Sequence, residues 1–391
     1  MHILCYAQHL TGVGHFVRMH TIAAALAERH TVRLVEGGRR FPRPPLDAEP
    51  DRIALPILWR DADGELVGGD GEPAQDLMQE RIDRLGAAVA DLQPDVVLVD
   101  HYPFSKWELS EEVDATAHAA RRANQRARVV CSLRDIAPRT RHESSSGRYD
   151  DEVLRRLAPF DAVVVHADPR MTTLREHFAG ADRITVPVRY TGVVVEPVGR
   201  TEDLPHTPWA VASSGGLDAT EFLVAVSEAF GALVAAGAVP AMPLHVFAPA
   251  NAITRELEAI RTSVPGEGVF VHEFSDAFGA WLDGAALSVS RGGYNTVAAL
   301  LRSRVPAVVV PDPSVSDQRP RAATLARFGI ATVVDDAAGV PDGAALQRAM
   351  LRALEVGRPE VGFDLAGAAT TADLLERLVA GEDPWAPERV G

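Results

Sequence analysis

The chain has 391 residues, 47% of them hydrophobic and 24% charged, with a formal net charge of −15. That length exceeds what a single hydrophobic core usually supports, so two domains are expected. The negative charge argues against nucleic acid or an anionic membrane surface as the main partner, because both need a positive field. Lys106 is the only lysine, so a cofactor held as a Schiff base would have a single candidate. Cys5 and Cys131 both sit in apolar runs and read as buried free thiols, which gives no sign of an oxidising compartment.

In chain order, short apolar runs alternate with longer helical patterns. The chain starts on a strand-like run, Ile3-Leu4-Cys5-Tyr6, with no basic or long apolar leader, and no stretch reaches the roughly 18 apolar residues of a membrane span. These features predict a cytoplasmic protein. Strands are expected near 2–7, 31–35, 95–100, 127–132 and 161–166 in the first half. In the second half they are expected near 209–213, 244–248, 268–272, 285–289, 306–310 and 330–334. Runs such as Val96-Val97-Leu98-Val99 and Ala307-Val308-Val309-Val310 are continuous, as in strands covered on both faces. Such alternation predicts parallel sheets wrapped by helices, and two of them fit the length. The proline-rich, aperiodic stretch at 196–208 reads as the linker, giving domains 1–200 and 201–391. The last helix, about 364–380, is a candidate to pack back on the first domain. Residues 37–50 and 138–149 read as irregular loops.

Ligands of open parallel sheets bind outside the carboxyl ends of the strands. Four segments fall there. After the first strand comes Thr11-Gly12-Val13-Gly14-His15, opening a helix. Gly12 and Gly14 permit a tight turn and close approach of an acceptor to backbone. His15 has the chemistry of a general base toward an acceptor hydroxyl or amine; the alternative is a histidine that only caps or packs. His9 and His20 are weaker rivals. The second segment is Asp100-His101-Tyr102-Pro103-Phe104, where Asp100 either orients the base, with His101 near the acceptor, or caps the helix that starts near Glu108. The third is Ser213-Ser214-Gly215-Gly216-Leu217-Asp218, whose small residues suit an anion facing backbone N–H groups, although such turns are common.

The fourth segment, Ser290-Arg291-Gly292-Gly293-Tyr294-Asn295-Thr296, joins a buried strand to a helix. Two glycines at a helix N-terminus form a donor-rich pocket for a diphosphate, and the planar fork of Arg291 matches phosphate oxygens. No G-x-x-x-x-G-K-[ST] pattern occurs, so this is not a P-loop. Pro311-Asp312-Pro313 and Asp317-Gln318 follow. A carboxylate and an amide together suit a polyhydroxylated sugar, with capping by Asp317 as the alternative.

Gly12-Val13-Gly14-His15, the 290–296 block, and Pro311 with Asp317-Gln318 together resemble a GT-B family, the bacterial glycosyltransferases related to the peptidoglycan N-acetylglucosaminyltransferase (family 28-like). The likeness runs over nearly the whole chain, including Pro94-Asp95-Val96-Val97-Leu98-Val99-Asp100 and Leu133-Arg134-Asp135. It implies two Rossmann-like α/β domains facing a central cleft, with the acceptor on the first and a nucleotide sugar on the second. It also implies diphosphate at Arg291, Gly292, Gly293, Tyr294, Asn295 and Thr296, with Ser214 and Gly215 in the donor half. The base is implied near Phe274 and Ser275, and the sugar hydroxyls near Asp317 and Gln318. The implied chemistry is inversion at the anomeric carbon without a metal or a cofactor, the nucleotide diphosphate sugar being a co-substrate. One position departs: where the family commonly has a glutamate for the ribose hydroxyls, this chain has Ala299.

The expected function is therefore transfer of a sugar, from a UDP-sugar first among donors, to a small soluble acceptor, with secondary metabolism as the setting by analogy. A nucleotide-sugar epimerase on the same fold is the alternative, but no convincing carboxylate set for it is visible. A catalytically idle helper is another, favoured only by Ala299. A phosphorylase using pyridoxal phosphate is disfavoured, because Lys106 lies in the first domain.

Overall fold

The computed structural model describes residues 1–39, 48–61, 63–137, 147–198, 204, 208–215, 219–249, 254–264, 266–273, 275 and 277–382. Phe274 lies outside these residues. So do Gly216, Leu217 and Asp218, most of the loop expected at 138–149, and most of the linker at 196–208. The described residues form two compact units, one from residues up to 195 plus 363–382, the other from 196–362.

Unit 1 holds strands β1 (His2–Ala7), β2 (Thr31–Glu36), β3 (Asp51–Ala54), β4 (Leu58–Arg60), β5 (Leu66–Gly68), β6 (Val96–Asp100), β7 (Arg128–Arg134), β8 (Ala162–His166) and β9 (Val188–Tyr190). Its helices are α1 (Gly14–Ala27), α2 (Ala74–Leu92), α3 (Ser110–Ala123), α4 (Arg148–Leu157) and the short α5 (Leu174–His177). Seven strands make one sheet in the order β3-β2-β1-β6-β7-β8-β9, and every pairing in it is parallel. β4 and β5 form a separate antiparallel hairpin. The strands β6 and β8 are buried at every residue, which explains their unbroken apolar sequences.

Unit 2 holds β10 (Ala210–Ser213), β11 (Leu244–Phe247), β12 (Val269–His272), β13 (Leu287–Ser290), β14 (Ala307–Val309) and β15 (Thr332–Val333). They too form an all-parallel sheet, in the order β12-β11-β10-β13-β14-β15. Its helices are α6 (Ala219–Ala235), α7 (Thr254–Ser263), α8 (Phe278–Gly284), α9 (Tyr294–Ser303), α10 (Gln318–Arg327) and α11 (Gly343–Val356). The expected architecture of two parallel α/β sheets is what the chain adopts. β3, β9 and the hairpin are additions that the apolar pattern did not indicate.

The final helix, α12 (Gly367–Val379), belongs to unit 1 and packs against α1. This explains the composition of α1, which is buried at ten of its positions from Phe16 to Leu26 instead of along one stripe. Gly367 lets the start of α12 approach the chain after β9, since a Cβ there would lie 2.6 Å from the Gly192 carbonyl oxygen. At the far end of the contact Arg29 pairs with Asp373 at 2.8 Å and His30 with Glu376 at 2.8 Å.

A buried polar bracket fixes the loop after β1. Arg81 on α2 donates twice to Glu112 on α3, both at 2.7 Å, and once to Gln8 Oε1 at 2.9 Å. Tyr6 also donates to Glu112. Gln8 in turn donates to the carbonyls of His9 and Leu58 at 2.8 and 3.1 Å. Removing one partner of such a buried pair strands a charge, a loss of about 3–5 kcal/mol. The bracket therefore holds the chain rigidly where it leaves β1 toward Gly12.

Candidate functional site

In both sheets the chain winds outward in two directions from a central pair of strands, β1 and β6 in unit 1, β10 and β13 in unit 2. At such a switch point the loops beyond the carboxyl ends diverge and leave a crevice for a ligand. The residues singled out in the sequence lie at these two points.

In unit 1, Asp100 is the last residue of β6 and His15 stands in the first turn of α1, which follows β1. His15 Nδ1 lies 2.9 Å from Asp100 Oδ2. Asp100 is 1% exposed and does not cap a helix; its carboxylate also accepts from Arg18 at Oδ1 and from Lys106 Nζ at 2.5 Å. Arg18 comes from the same face of α1 one turn after His15, as residues three apart do. Burial alone would raise the Asp100 carboxyl, but Lys106, His15 and Arg18 outweigh it and hold it well below the ordinary range. Asp100 is thus an anion at neutral pH.

The His15 imidazole is pushed well below its usual value, first by burial and then by the charges of Arg134 and Lys106, against the opposing pull of Asp100. It is neutral at physiological pH, the state a proton acceptor needs. Arg134, the last residue of β7, reaches back to donate to His15 Nε2. His101 packs edge-on against His15, ring centroids 4.7 Å apart, and is itself lowered by burial and by His15 and Arg134. Its φ of 66° and its backbone bond to the Ser132 carbonyl hold the turn after β6 in place. Gly12 has no neighbour within 4 Å of a Cβ, so the turn before His15 is open on that side, and Gly14 begins the helix. The rivals are occupied elsewhere: His9 faces the Arg39 carbonyl and His20 faces Glu49.

In unit 2, Ser213 and Ser290 are register partners at the ends of β10 and β13, and Ser214 and Gly215 follow the first. Ser290 Oγ and Ser214 Oγ are buried and have no hydrogen-bond partner among the described residues. Gly292 and Gly293 lead into α9, with Gly293 as its N-cap and no side chain capping it. Its first turn carries Tyr294, Asn295 and Thr296, of which Asn295 and Thr296 are partly exposed.

The charged side chains here point into the fold, in contrast to the expectation of an arginine fork beside the turn. Arg291 is 5% exposed, donates to the Gly339 carbonyl at 2.6 Å and lies 4.1 Å over the Phe222 ring. Gly339 is needed at that contact, since it has φ 81° and a Cβ would lie 2.9 Å from Pro313. Gln318 Oε1 accepts from the backbone N–H of Gly292 at 3.0 Å and of Asp312 at 2.9 Å. Its carbonyl thus ties the 290–296 turn to the loop after β14, leaving only the amide nitrogen for a ligand. Asp317 is the N-cap residue of α10, but its side chain makes no cap bond and pairs with Arg321 at 2.8 Å. Arg321, 2% exposed, donates to the Gly292 carbonyl at 2.6 Å. Ser275 Oγ accepts from Ala277 N–H at 3.1 Å just before α8.

Three residues central to this geometry had no assigned role in the sequence: Arg18, Lys106 and Arg134. Spacing alone could have raised Arg18, three residues after His15. Among the described residues no group of three or more His, Cys, Asp or Glu side chains is placed to hold a metal ion. No described helix is long and apolar enough to cross a membrane.

Two all-parallel α/β units of this topology define the GT-B class, and solved structures align over nearly the full chain. The spinosyn forosaminyltransferase SpnP is 15% identical, with a TM-score of 0.56 over 98% of this chain and 96% of that one. A putative UDP-N-acetylglucosamine 2-epimerase from Listeria monocytogenes is 13% identical, with a TM-score of 0.59 over 96% and 94%. Identities this low establish the fold and do not choose between transfer and epimerisation.

Residues 253–354, within unit 2, match the glycosyltransferase family 28 C-terminal domain. The chain is also distantly related to the UDP-N-acetylglucosamine--N-acetylmuramyl-(pentapeptide) pyrophosphoryl-undecaprenol N-acetylglucosamine transferases of Prochlorococcus marinus strains NATL1A and NATL2A. Each is 39% identical over 67 residues, 17% of this chain. The chain spans about a fifth of the length of these curated relatives, 19% in each case.

Proposed function

We propose that the protein is an inverting, metal-independent glycosyltransferase that moves a sugar from a nucleoside diphosphate donor, UDP-sugars foremost, to a small soluble acceptor. Natural-product biosynthesis is the setting this reading favours. The observation that carries it is the neutral His15 imidazole bonded to the ionised Asp100 at a sheet's switch point. An epimerase would need acid and base groups on one sugar carbon, whereas Asp100 is wholly engaged by cations and His15.

In this mechanism His15 Nε2 takes the proton of the acceptor hydroxyl as its oxygen forms a bond to the anomeric carbon. The bond from that carbon to the diphosphate oxygen breaks, and the nucleoside diphosphate leaves with the electron pair. Asp100 stabilises the imidazolium that forms. Unit 2 receives the leaving charge at the start of α9, where the N–H groups of residues 293–296 and the helix dipole favour an anion. Ser214 and Gly215 border the same switch point. Arg291 acts from beneath, as a fixed positive charge under the turn, and Gln318 offers its amide nitrogen toward the sugar. With alanine at 299, the ribose hydroxyls lack the carboxylate common in the family, which predicts a weaker donor complex.

Calorimetric titration with uridine, thymidine and guanosine diphosphates tests the reading. Saturable binding of at least one is expected, and turnover should survive exhaustive chelation. Absence of heat with all three would remove the donor site, and activity restored only by magnesium or manganese would remove the metal-free mechanism.

A further inference from the structure

The donors and acceptors around His15 determine which ring nitrogen carries its proton. Nδ1 faces Asp100, a carboxylate that can only accept. Nε2 faces the Arg134 guanidinium, which can only donate. Both constraints demand the same tautomer, with the proton on Nδ1 and the lone pair on Nε2. We propose that Arg134 is a positioning residue for His15, holding Nε2 as an acceptor and occupying the place of the acceptor hydroxyl until substrate displaces it. This inference rests on the assignment of His15 as the base.

The surroundings make the lock rigid. His101 stands edge-on to the His15 ring at an interplanar angle of 84° and restrains its rotation. Arg134 Nε donates to His101 Nε2 at 3.4 Å, so one guanidinium orders both rings. His101 Nδ1 then donates to Ser105 Oγ at 3.2 Å. The charged and titratable groups around the His15–Asp100 pair are Asp100 from β6, His101 and Arg134 against the ring, with Lys106 from the turn after β6 and Arg18 from α1 bonded to Asp100. Acceptor binding exchanges one donor at Nε2, a guanidinium N–H, for another, the hydroxyl O–H. The ring need not reorient, and departure of the guanidinium charge makes Nε2 more basic as the substrate arrives.

The test is nitrogen-15 NMR of the imidazoles in the resting protein, with His15 assigned by the loss of its signals in His15→Ala. In the wild type His15 should be the Nδ1–H tautomer, a measurement that needs no other variant. Arg134→Met, similar in length but without donor or charge, should raise the His15 midpoint by about one pH unit. Arg134→Lys should return it toward the wild-type value. The acid limb of kcat/KM should move with the midpoint. An Nε2–H tautomer in the wild type, or an unchanged midpoint in a folded Arg134→Met protein, would overturn the proposal. Neither result depends on turnover, so the lock can fail while transfer is confirmed, and transfer can fail while the lock stands.

Discussion

At the switch point of unit 1 four ionisable side chains, His15, Asp100, Lys106 and Arg134, meet within hydrogen-bonding reach, supported by Arg18. At the matching point of unit 2 the surface is backbone: a glycine turn and the start of α9, with Arg291 and Arg321 turned inward onto carbonyls. The same topology therefore yields two kinds of site. In the proposed transfer a proton must be moved by a group with a tuned pKa, which the buried charges around His15 would supply. In the same transfer the diphosphate gains negative charge as it leaves but exchanges no proton, so fixed dipoles can receive it while side chains hold the turn rigid. The positions of Arg291 and Gln318 fit that division.

The comparison breaks most visibly at His15. His15→Ala should lower kcat by about 10²–10⁴-fold while nucleoside diphosphate affinity stays near wild type. Steady-state kinetics paired with a nucleotide titration on one preparation would check it, and a folded variant with near-normal turnover would move the base role elsewhere. Arg291→Ala should do the reverse, weakening nucleoside diphosphate binding by about tenfold, ~1.4 kcal/mol, as the turn loses its brace and the positive charge beneath it. Unchanged affinity by calorimetry would mean that neither the arginine's charge nor its bracing of the turn matters to the donor.

Gln318→Leu sharpens the account of unit 2, since it leaves two backbone N–H groups without their acceptor. A loss of about 2 kcal/mol in folding stability is expected, measured by denaturant melts, together with weaker nucleotide binding. Full stability would show that Gln318 does not tie the two loops together.

The remaining comparison is in pH dependence. His15, His101 and His166 in unit 1 are all held well below the ordinary histidine value, burial being the first cause in each. In unit 2 His245 is pushed to about 4 and His272 is lowered, both by burial first. For a depressed histidine the unfolded chain takes up its proton first. Stability is therefore complete above about pH 6.5 and declines as pH falls toward the folded values, by up to about 1.4 kcal/mol per pH unit for each group. Asp100, also depressed, adds its loss only further down, below the ordinary carboxylate range. Melts between pH 7 and 5 should show a steep decline; a flat profile would mean that these imidazoles are not kept neutral.

Much of this was legible in the residues. Strands buried on both faces favour unbroken apolar runs, so β6, β8 and β14 were visible locally, as were the glycine turns and His15 at a helix start. Asp-Arg-Ile-Ala of β3 was not, because an edge strand with exposed residues carries no apolar run. Asp100 was raised as a candidate to orient His15, but local pattern did not reveal Arg134, which lies 119 residues away and reaches the ring only through strand order. An arginine beside glycines reads as a phosphate ligand in sequence. Whether its guanidinium faces solvent or a buried carbonyl depends on Gly339, 48 residues on, and that partner exists only once the chain has folded. The sequence by itself determined the two sheets and the points where their chemistry would gather, since periodicity and turn residues act over a few positions. Tertiary structure alone decided which charges meet there, because charge partners are set by strand order and long-range packing.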